Sequence, residues 1–238
     1  IIKPGGTVVS RGGCPEADEV FRQVCQERGA DLTELDLSRL RVRRLDLEGA
    51  VFDFAPWENL TIPLAGAYQA ENAALALTAL EAMKKKGWSI PEEAVRQGLA
   101  AVRWPGRFEV LGKRPVFLLD GAHNAHGMRA AAESLRALFP GKRLTFLLGV
   151  LADKDAGEML DLLAPLAERA FVLRPDSPRA MDPAALCALL AERGVEARPC
   201  VSVEEGLNAA LAAAGEAICA LGSLYLCLSL IHISEPTR

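Results

Sequence analysis

The sequence predicts an α/β protein: a Rossmann-like, mostly parallel sheet in the C-terminal half, preceded by a mixed segment of helices and short antiparallel strands. Three observations carry that reading. From Pro105-Gly106 onward, short apolar runs alternate with helical patterns of about 10–15 residues, the rhythm of βαβ units. Before it, between Leu32 and Leu64, apolar and charged residues alternate with a period of two. The chain has 238 residues, 50% of them hydrophobic, enough for one large or two modest cores.

Taken in order, Thr7 to Ser10 is a short β-branched run and reads as a strand. Glu16 to Gly29 spaces Val20, Phe21, Val24 and Cys25 as a helix does and ends on a glycine stop. Leu45 and Leu47 alternate with Asp46 and Glu48, and Phe52 and Phe54 flank Asp53, as in strands with one wet face. Ala67 to Lys86 is a helix with Ala73, Ala76, Leu77, Leu80 and Met83 on one stripe. Lys84 to Lys86 suit its C-terminal dipole, and Gly87 stops it. Pro91 opens a helix to about Val102 as its first helical residue. Pro105-Gly106 is a turn and the expected domain boundary.

The second half follows strand by strand. Phe108–Leu111, Val116–Leu119, Leu144–Leu148, Phe171–Leu173 and Ile218–Leu226 are expected strands. Gly127–Phe139, Ala156–Glu168, Pro183–Arg193 and Val203–Ala214 are expected helices. Met128, Ala131, Leu135 and Leu138 form the inner face of the first of these. Asp182 caps the third, with Pro183 at its first position.

Composition narrows the function. Lys+Arg is 27 and Asp+Glu 31, a net charge of −4, too acidic for a protein that coats nucleic acid. The six cysteines, at 14, 25, 187, 200, 219 and 227, form no C-x-x-C pair, and none is near His123 or His126. A disulfide framework or zinc site is not expected, and a reducing cytoplasm is the natural compartment. The most apolar run, Ala217 to Ile231, is 15 residues and contains Gly222, short of the ~20 that span a bilayer. No membrane role is expected. His123 and His126 lack a third ligand, so no metal site is assigned.

In an open parallel sheet, ligands bind beyond the carboxyl ends of the strands. Those ends carry Asp120-Gly121-Ala122-His123-Asn124, Gly149-Val150-Leu151-Ala152-Asp153-Lys154-Asp155, Arg174-Pro175-Asp176-Ser177-Pro178-Arg179 and Gly222-Ser223. Each loop has an ordinary reading. Asn124, Asp155 and Asp182 serve as helix N-caps, and Gly121 and Gly149 as turn glycines. Taken together they favour a ligand site, because Asp120 and His123 are not needed for capping if Asn124 caps. Arg107, just after the Pro-Gly turn, is either a solvated arginine or a reach toward a phosphate. Asn72, beside Gln69 on an i, i+3 face, is either a polar residue near a helix start or a reader of a nucleobase edge. No G-x-x-x-x-G-K-[ST] loop and no G-x-G-x-x-G occurs in the 238 residues.

Six stretches carry a family resemblance. Leu64-Ala65-Gly66-Ala67-Tyr68-Gln69-Ala70-Glu71-Asn72-Ala73-Ala74, Trp104-Pro105-Gly106-Arg107-Phe108-Glu109 and Leu119-Asp120-Gly121-Ala122-His123-Asn124 resemble the second half of a Mur ligase. The loops 149–155 and 174–180, with Gly222-Ser223-Leu224-Tyr225-Leu226, resemble its folylpolyglutamate synthase / dihydrofolate synthase branch. The resemblance implies that residues 1–104 are the C-terminal part of a central ATP-binding domain and 105–226 a glutamate-ligase domain. It implies an ATP-dependent ligase that joins L-glutamate to a folate or dihydropteroate carboxylate through an acyl phosphate, with Mg²⁺. By the same resemblance Asn72 contacts the adenine, Arg107 the phosphates and Asp120 the ribose or nucleotide. His123 and Ser223 line the glutamate side, and a monomer is implied.

Departures shape further expectations. Ala125 stands where the family usually has proline. The family's phosphate loop and metal ligands lie upstream of the segment that opens with Ile1, so the chain is expected to be a C-terminal part without ligase activity of its own. Residues 1–104 are then expected to pack poorly. Residues 227–238 depart from the family and are expected to be a non-native tail. Two other readings stand beside this one: a peptidoglycan- or cyanophycin-type ligase, disfavoured by Asp153-Lys154-Asp155 and Ser177-Pro178-Arg179, and a non-catalytic nucleotide-binding module.

Overall fold

The period-two alternation of the first half folds into a three-stranded antiparallel meander, β3 (Leu40–Asp46), β4 (Gly49–Phe54) and β5 (Trp57–Ile62), after β1 (Thr7–Ser10), α1 (Pro15–Arg28) and β2 (Asp31–Glu34). The computed structural model describes residues 1–213 and 215–234. Ala214, at the end of an expected helix, and residues 235–238 of the expected tail lie outside the described residues. The chain divides into two units, residues 1–63 with 68–102, and residues 64–67 with 103 onward.

In the first unit, β1 and β2 pair in parallel, Thr7 opposite Asp31, with α1 as the crossover. Gly29 ends α1 in the left-handed region at φ 58°, donating to the carbonyls of Cys25 and Gln26. The meander buries Phe52, Phe54, Trp57, Leu60 and Ile62 against Ala70, Ala73, Ala74 and Leu77 of α2 (Gln69–Lys85) and Val95 of α3 (Glu92–Ala101). Each fully buried large side chain contributes about 1.5–3 kcal/mol. This unit therefore has a core of its own, contrary to the expectation of poor packing.

Four local expectations are corrected here. Asp31–Glu34 pairs in parallel with β1, outside the antiparallel set, because α1 carries the chain back alongside it. Leu47 lies in the turn after β3. In α2 the buried stripe is Ala70, Ala73, Ala74, Leu77 and Thr78, while Ala76 and Met83 are exposed. An alanine-rich helix is nearly as apolar on one side as another, so packing sets the face. Pro91 sits at the N-cap of α3, one position before that expected.

The second unit holds β6 (Glu109–Lys113), β7 (Val116–Leu119), α4 (Ala125–Leu138), β8 (Leu144–Leu148), α5 (Ala156–Leu163) and β9 (Ala167–Val172). It continues through α6 (Pro183–Glu192), β10 (Glu196–Pro199), α7 (Val203–Ala212), β11 (Ala217–Leu221) and α8 (Leu224–Ser234). The sheet order is β10-β9-β8-β11-β7-β6, parallel except for the antiparallel edge strand β6. One face of the sheet packs Phe117, Leu119, Leu147, Phe171, Ile218 and Ala220 against Ala210 of α7 and Leu226, Cys227 and Leu230 of α8. Among the described residues no helix is long and apolar enough to cross a membrane.

Two expectations change in this unit. The helix from Ala156 stops at Leu163, because Pro165 falls in a short 3₁₀ turn, and β9 begins at Ala167. The apolar run 218–226 is not one strand. It breaks at Gly222, φ 108°, into β11 and then α8.

Candidate functional site

The carboxyl edge of the second sheet gathers the loops the sequence singled out. Asn124 caps α4, its Oδ1 accepting from the Gly127 N–H at 2.8 Å. Asp155 and Asp182 cap α5 and α6 in the same way. Asp120 and His123 are thereby left for other work, as expected.

Backbone bonds tie the edge together. The loop after β7 donates Asp120 N–H to Ala220 O (2.9 Å) and accepts Gly222 N–H at Ala122 O (2.9 Å). It reaches the Pro105-Gly106 turn through Gly121 N–H to Gly106 O at 2.8 Å. The loops after β8 and β9 form a second knot through Ala152 N–H to Arg179 O and Met181 N–H to Val150 O. There Asp153 accepts from Arg179 at 3.1 Å and lies 3.3 Å from Lys154. Desolvation raises the Asp153 carboxyl, but Lys154 and Arg179 outweigh it and hold the group below the usual carboxylate range.

The five predicted site residues are placed as follows. Arg107 is half-buried, and among the described residues its guanidinium has no hydrogen-bond or ion-pair partner. A half-buried guanidinium without an ion-pair partner suits an anionic ligand. Asp120 is 4% exposed, and both carboxylate oxygens accept backbone amides, from Phe108 and Ala122, each at 2.7 Å. His123 is half-buried, with Nδ1 2.7 Å from Gly121 O. A carbonyl can only accept, so Nδ1 carries a proton and donates it to Gly121 O, which leaves Nε2 as the ring nitrogen open to a ligand. Ser223 is fully buried, its Oγ accepting from Tyr225 N–H at 3.1 Å as α8 begins. Asn72 belongs to the first unit. It is exposed on the first turn of α2, donating Nδ2–H to Gln69 Oε1 at 2.9 Å, the i, i+3 pair the spacing predicts.

The structure thus brings Arg107, Asp120, His123 and Ser223 to one edge of one unit. Asp120 and Ser223 face inward, which their positions in the sequence do not reveal. Three residues at this edge went unread. Phe108 is 2% exposed with φ 48°, Glu109 accepts Gly106 N–H at 2.8 Å, and Cys227 donates Sγ–H to Asp120 O at 3.2 Å. Burial pushes the Cys227 thiol up to about 12, Asp120 and Glu109 adding to the shift and Arg107 opposing it. In the sequence the cluster is marked by the Pro105-Gly106 turn and by the stretch Trp104–Glu109 that carries the resemblance, neither of which gives Phe108, Glu109 or Cys227 a role. Among the described residues no three His, Cys, Asp or Glu side chains converge as metal ligands would. A shallow depression of about 300 Å³ between β5 and α3 contains none of the predicted residues.

Comparison with known proteins gives this geometry a context. The family model described as Mur ligase, glutamate ligase domain, matches residues 106–224, half of the chain. The folylpolyglutamate synthase of Lacticaseibacillus casei is 33% identical over 238 residues, covering 95% of this chain and 53% of that protein. The dihydrofolate synthase/folylpolyglutamate synthase of Bacillus subtilis is 32% identical over 186 residues, covering 76% of this chain and 43% of that protein. The structure of Mycobacterium tuberculosis folylpolyglutamate synthase complexed with ADP superposes with a TM-score of 0.86 at 28% identity, covering 98% of this chain and 55% of that one. The chain spans about half the length of the curated relatives it matches.

Proposed function

The chain belongs to the Mur ligase family through its glutamate ligase domain, and on that premise we propose that it is the amino-acid-adding half of an ATP-dependent folate γ-glutamyl ligase. The carboxylate of a folate or dihydropteroate takes the terminal phosphoryl group of ATP, giving an acyl phosphate and ADP. The amine of L-glutamate attacks the acyl carbon, the C–O bond to phosphate breaks, and the amine gives up a proton. The logic is that a carboxylate is a poor electrophile and phosphorylation supplies its leaving group.

The observation that carries this reading is Arg107, a half-buried guanidinium with no partner among the described residues, at the edge where the strands end. It would receive phosphate oxygens and gain most as charge develops on the transferring group. Nε2 of His123 would face the incoming amino acid. Asn72 would read an adenine edge. Ser223, inside the sheet edge, would act on the glutamate side only by fixing the start of α8. A divalent ion, Mg²⁺ in the cell, would be held by residues other than those described here, and no step is assigned to it. The 238 residues carry no phosphate loop, so the cradle for ATP would come from further sequence of the same protein. We place the enzyme in the cytoplasm as a monomer.

The test is ATP-dependent incorporation of labelled L-glutamate into dihydropteroate and into tetrahydrofolate. It is run with the 238-residue chain and with the longest open reading frame that contains it. Incorporation by the longer protein and none by the chain is the expected result. In the longer protein, Arg107→Ala should lower kcat/KM by about 100-fold or more. A longer protein that turns over UDP-linked peptides and ignores folates would refute the reading.

A further inference from the structure

We propose that residues 64–67 form a strap that folds and unfolds with the second unit, pinned there by the hydroxyl of Ser134, although the helix that follows them, α2, belongs to the first. The strap goes beyond the ligase reading and does not depend on it.

The chain leaves the first unit after Pro63, spends Leu64-Ala65-Gly66-Ala67 in the second, and returns at Tyr68. These four residues lie in no strand and no helix, so no ladder serves their backbone. Even so, Ala65 is 3% exposed and Gly66 is buried. Backbone amides taken from water outside regular structure need partners from elsewhere. The Ala67 N–H has one on α4, 67 residues along the chain: it donates to Ser134 Oγ at 2.9 Å. Ser134 is fully buried, and its Oγ donates in turn to Ala130 O at 2.8 Å. The hydroxyl is thus used in both senses. Its one proton goes to the backbone of its own helix, and a lone pair is left for the strap.

Two further features fit a pin. Ser134 stands on the inner face of α4 with Ala131, Ala132 and Leu135, where alanine would suit the helix better and a hydroxyl costs stability unless it is bonded. The strap also meets α4 with small residues, Ala65, Gly66 and Ala67, which let main chain come close to a helix. By contrast, α2 offers no tie of its own at its start. The helices α4, α5, α6 and α7 are each capped by a side chain, from Asn124, Asp155, Asp182 and Ser202, whereas Tyr68 at the N-cap of α2 makes no side-chain cap bond. The chain entering α2 is held one residue earlier, on α4. The second unit is therefore discontinuous, and the stretch 106–224 that matches the family model lacks one of its pieces.

The experiment is amide hydrogen exchange, followed by NMR on the 238-residue chain and on variants that loosen one unit at a time. Phe54→Leu thins the core of the first unit, and Gly141→Ala strains a φ of 72° in the second. Each should speed exchange about tenfold in its own unit, read at Ala73 and Leu77 for the first and at residues 217–221 for the second. Ala67 should follow Gly141→Ala and keep its wild-type rate in Phe54→Leu. Ser134→Ala should speed Ala67 by about tenfold or more, as loss of the partner of a buried donor predicts, beyond any change at residues 217–221. An Ala67 that follows Ala73 and Leu77, that answers both loosening variants alike, or that is unprotected in the wild type would overturn the strap. Unchanged exchange of Ala67 in Ser134→Ala would overturn the pin. If Ser134→Ala does not fold, Ser134→Cys keeps a side chain of similar shape with a weaker acceptor, and the same two readings of Ala67 apply.

Discussion

Gly222→Ala tests the seam between β8 and β11. Gly222 has φ 108°, outside even the left-handed well that other residues occasionally visit. A Cβ would sit 2.8 Å from Gly149 O and 3.3 Å from Val150 Cγ2. The first partner is backbone, held by the Gly149 N–H bond to Leu221 O, and cannot swing away. The strained dihedral costs about 1–3 kcal/mol, and overpacking against a fixed carbonyl adds about 1–3 kcal/mol. A total of about 2–6 kcal/mol is a large fraction of the 5–15 kcal/mol that holds a domain together. Gly141→Ala is the matched control in the same unit. Its φ is 72° and its Cβ would meet nothing within 4 Å, so it carries the dihedral cost alone, about 1–2 kcal/mol. The assay is urea unfolding of the purified chain, with exchange of the 217–221 amides reporting the second unit separately from the first. Gly222→Ala should lose about 1–3 kcal/mol more than Gly141→Ala. Equal losses would show that the Gly149 carbonyl yields, and the close-contact argument would fail.

Other outcomes are expected elsewhere. Phe54→Ala removes a fully buried ring stacked on Trp57, with centroids 6.4 Å apart, and lying 4.2 Å under the Arg39 guanidinium. It should cost about 3–5 kcal/mol, read from Trp57 fluorescence in urea, and a loss under about 1.5 kcal/mol would contradict the packing described. Asn124→Ala should cost about 1 kcal/mol by uncapping α4, with Asn124→Asp restoring most of it in the same unfolding assay. Cys227 gives a pH dependence of defined sign. Its folded pKa, about 12, lies above the unfolded 9.0, so its contribution is complete below pH 9.0 and is lost as pH climbs toward 12. The urea midpoint of the second unit should fall above pH 9.0, and fall less in Cys227→Ala; equal falls would exclude the thiol as the cause.

Legibility followed the range of the interaction. Asn124, Asp155 and Asp182 were readable as caps because a cap and its amide are two or three residues apart. The loops of the candidate site were readable because they follow strands, and strand ends are where parallel sheets bind ligands. The inward turn of Asp120 was not, because its partner Phe108 lies twelve residues away across a turn. The passage from β11 to α8 escaped because an unbroken apolar run has no period to separate strand from helix; only Gly222-Ser223 marked the break. β10 escaped for the opposite reason: Glu196-Ala197-Arg198-Pro199 is a polar edge with no apolar signal. The face of α2 followed from packing against Phe52 and Phe54 and not from its own alanines.

The position of β11 has a kinetic consequence. It lies between β7 and β8, paired in parallel with both, yet it is the last of the sheet's strands along the chain. While a ribosome delivers this unit from its N-terminal side, β7-β6 and β10-β9-β8 can each assemble, but each is left with an open edge that has nothing to bond. Those edges face one another across a gap that only residues 217–221 fill. Such late, long-range closure slows folding and leaves sticky strand edges exposed during synthesis. A nascent chain halted before Ala217 should therefore recruit chaperones or aggregate, while release of five further residues converts two half-sheets into one.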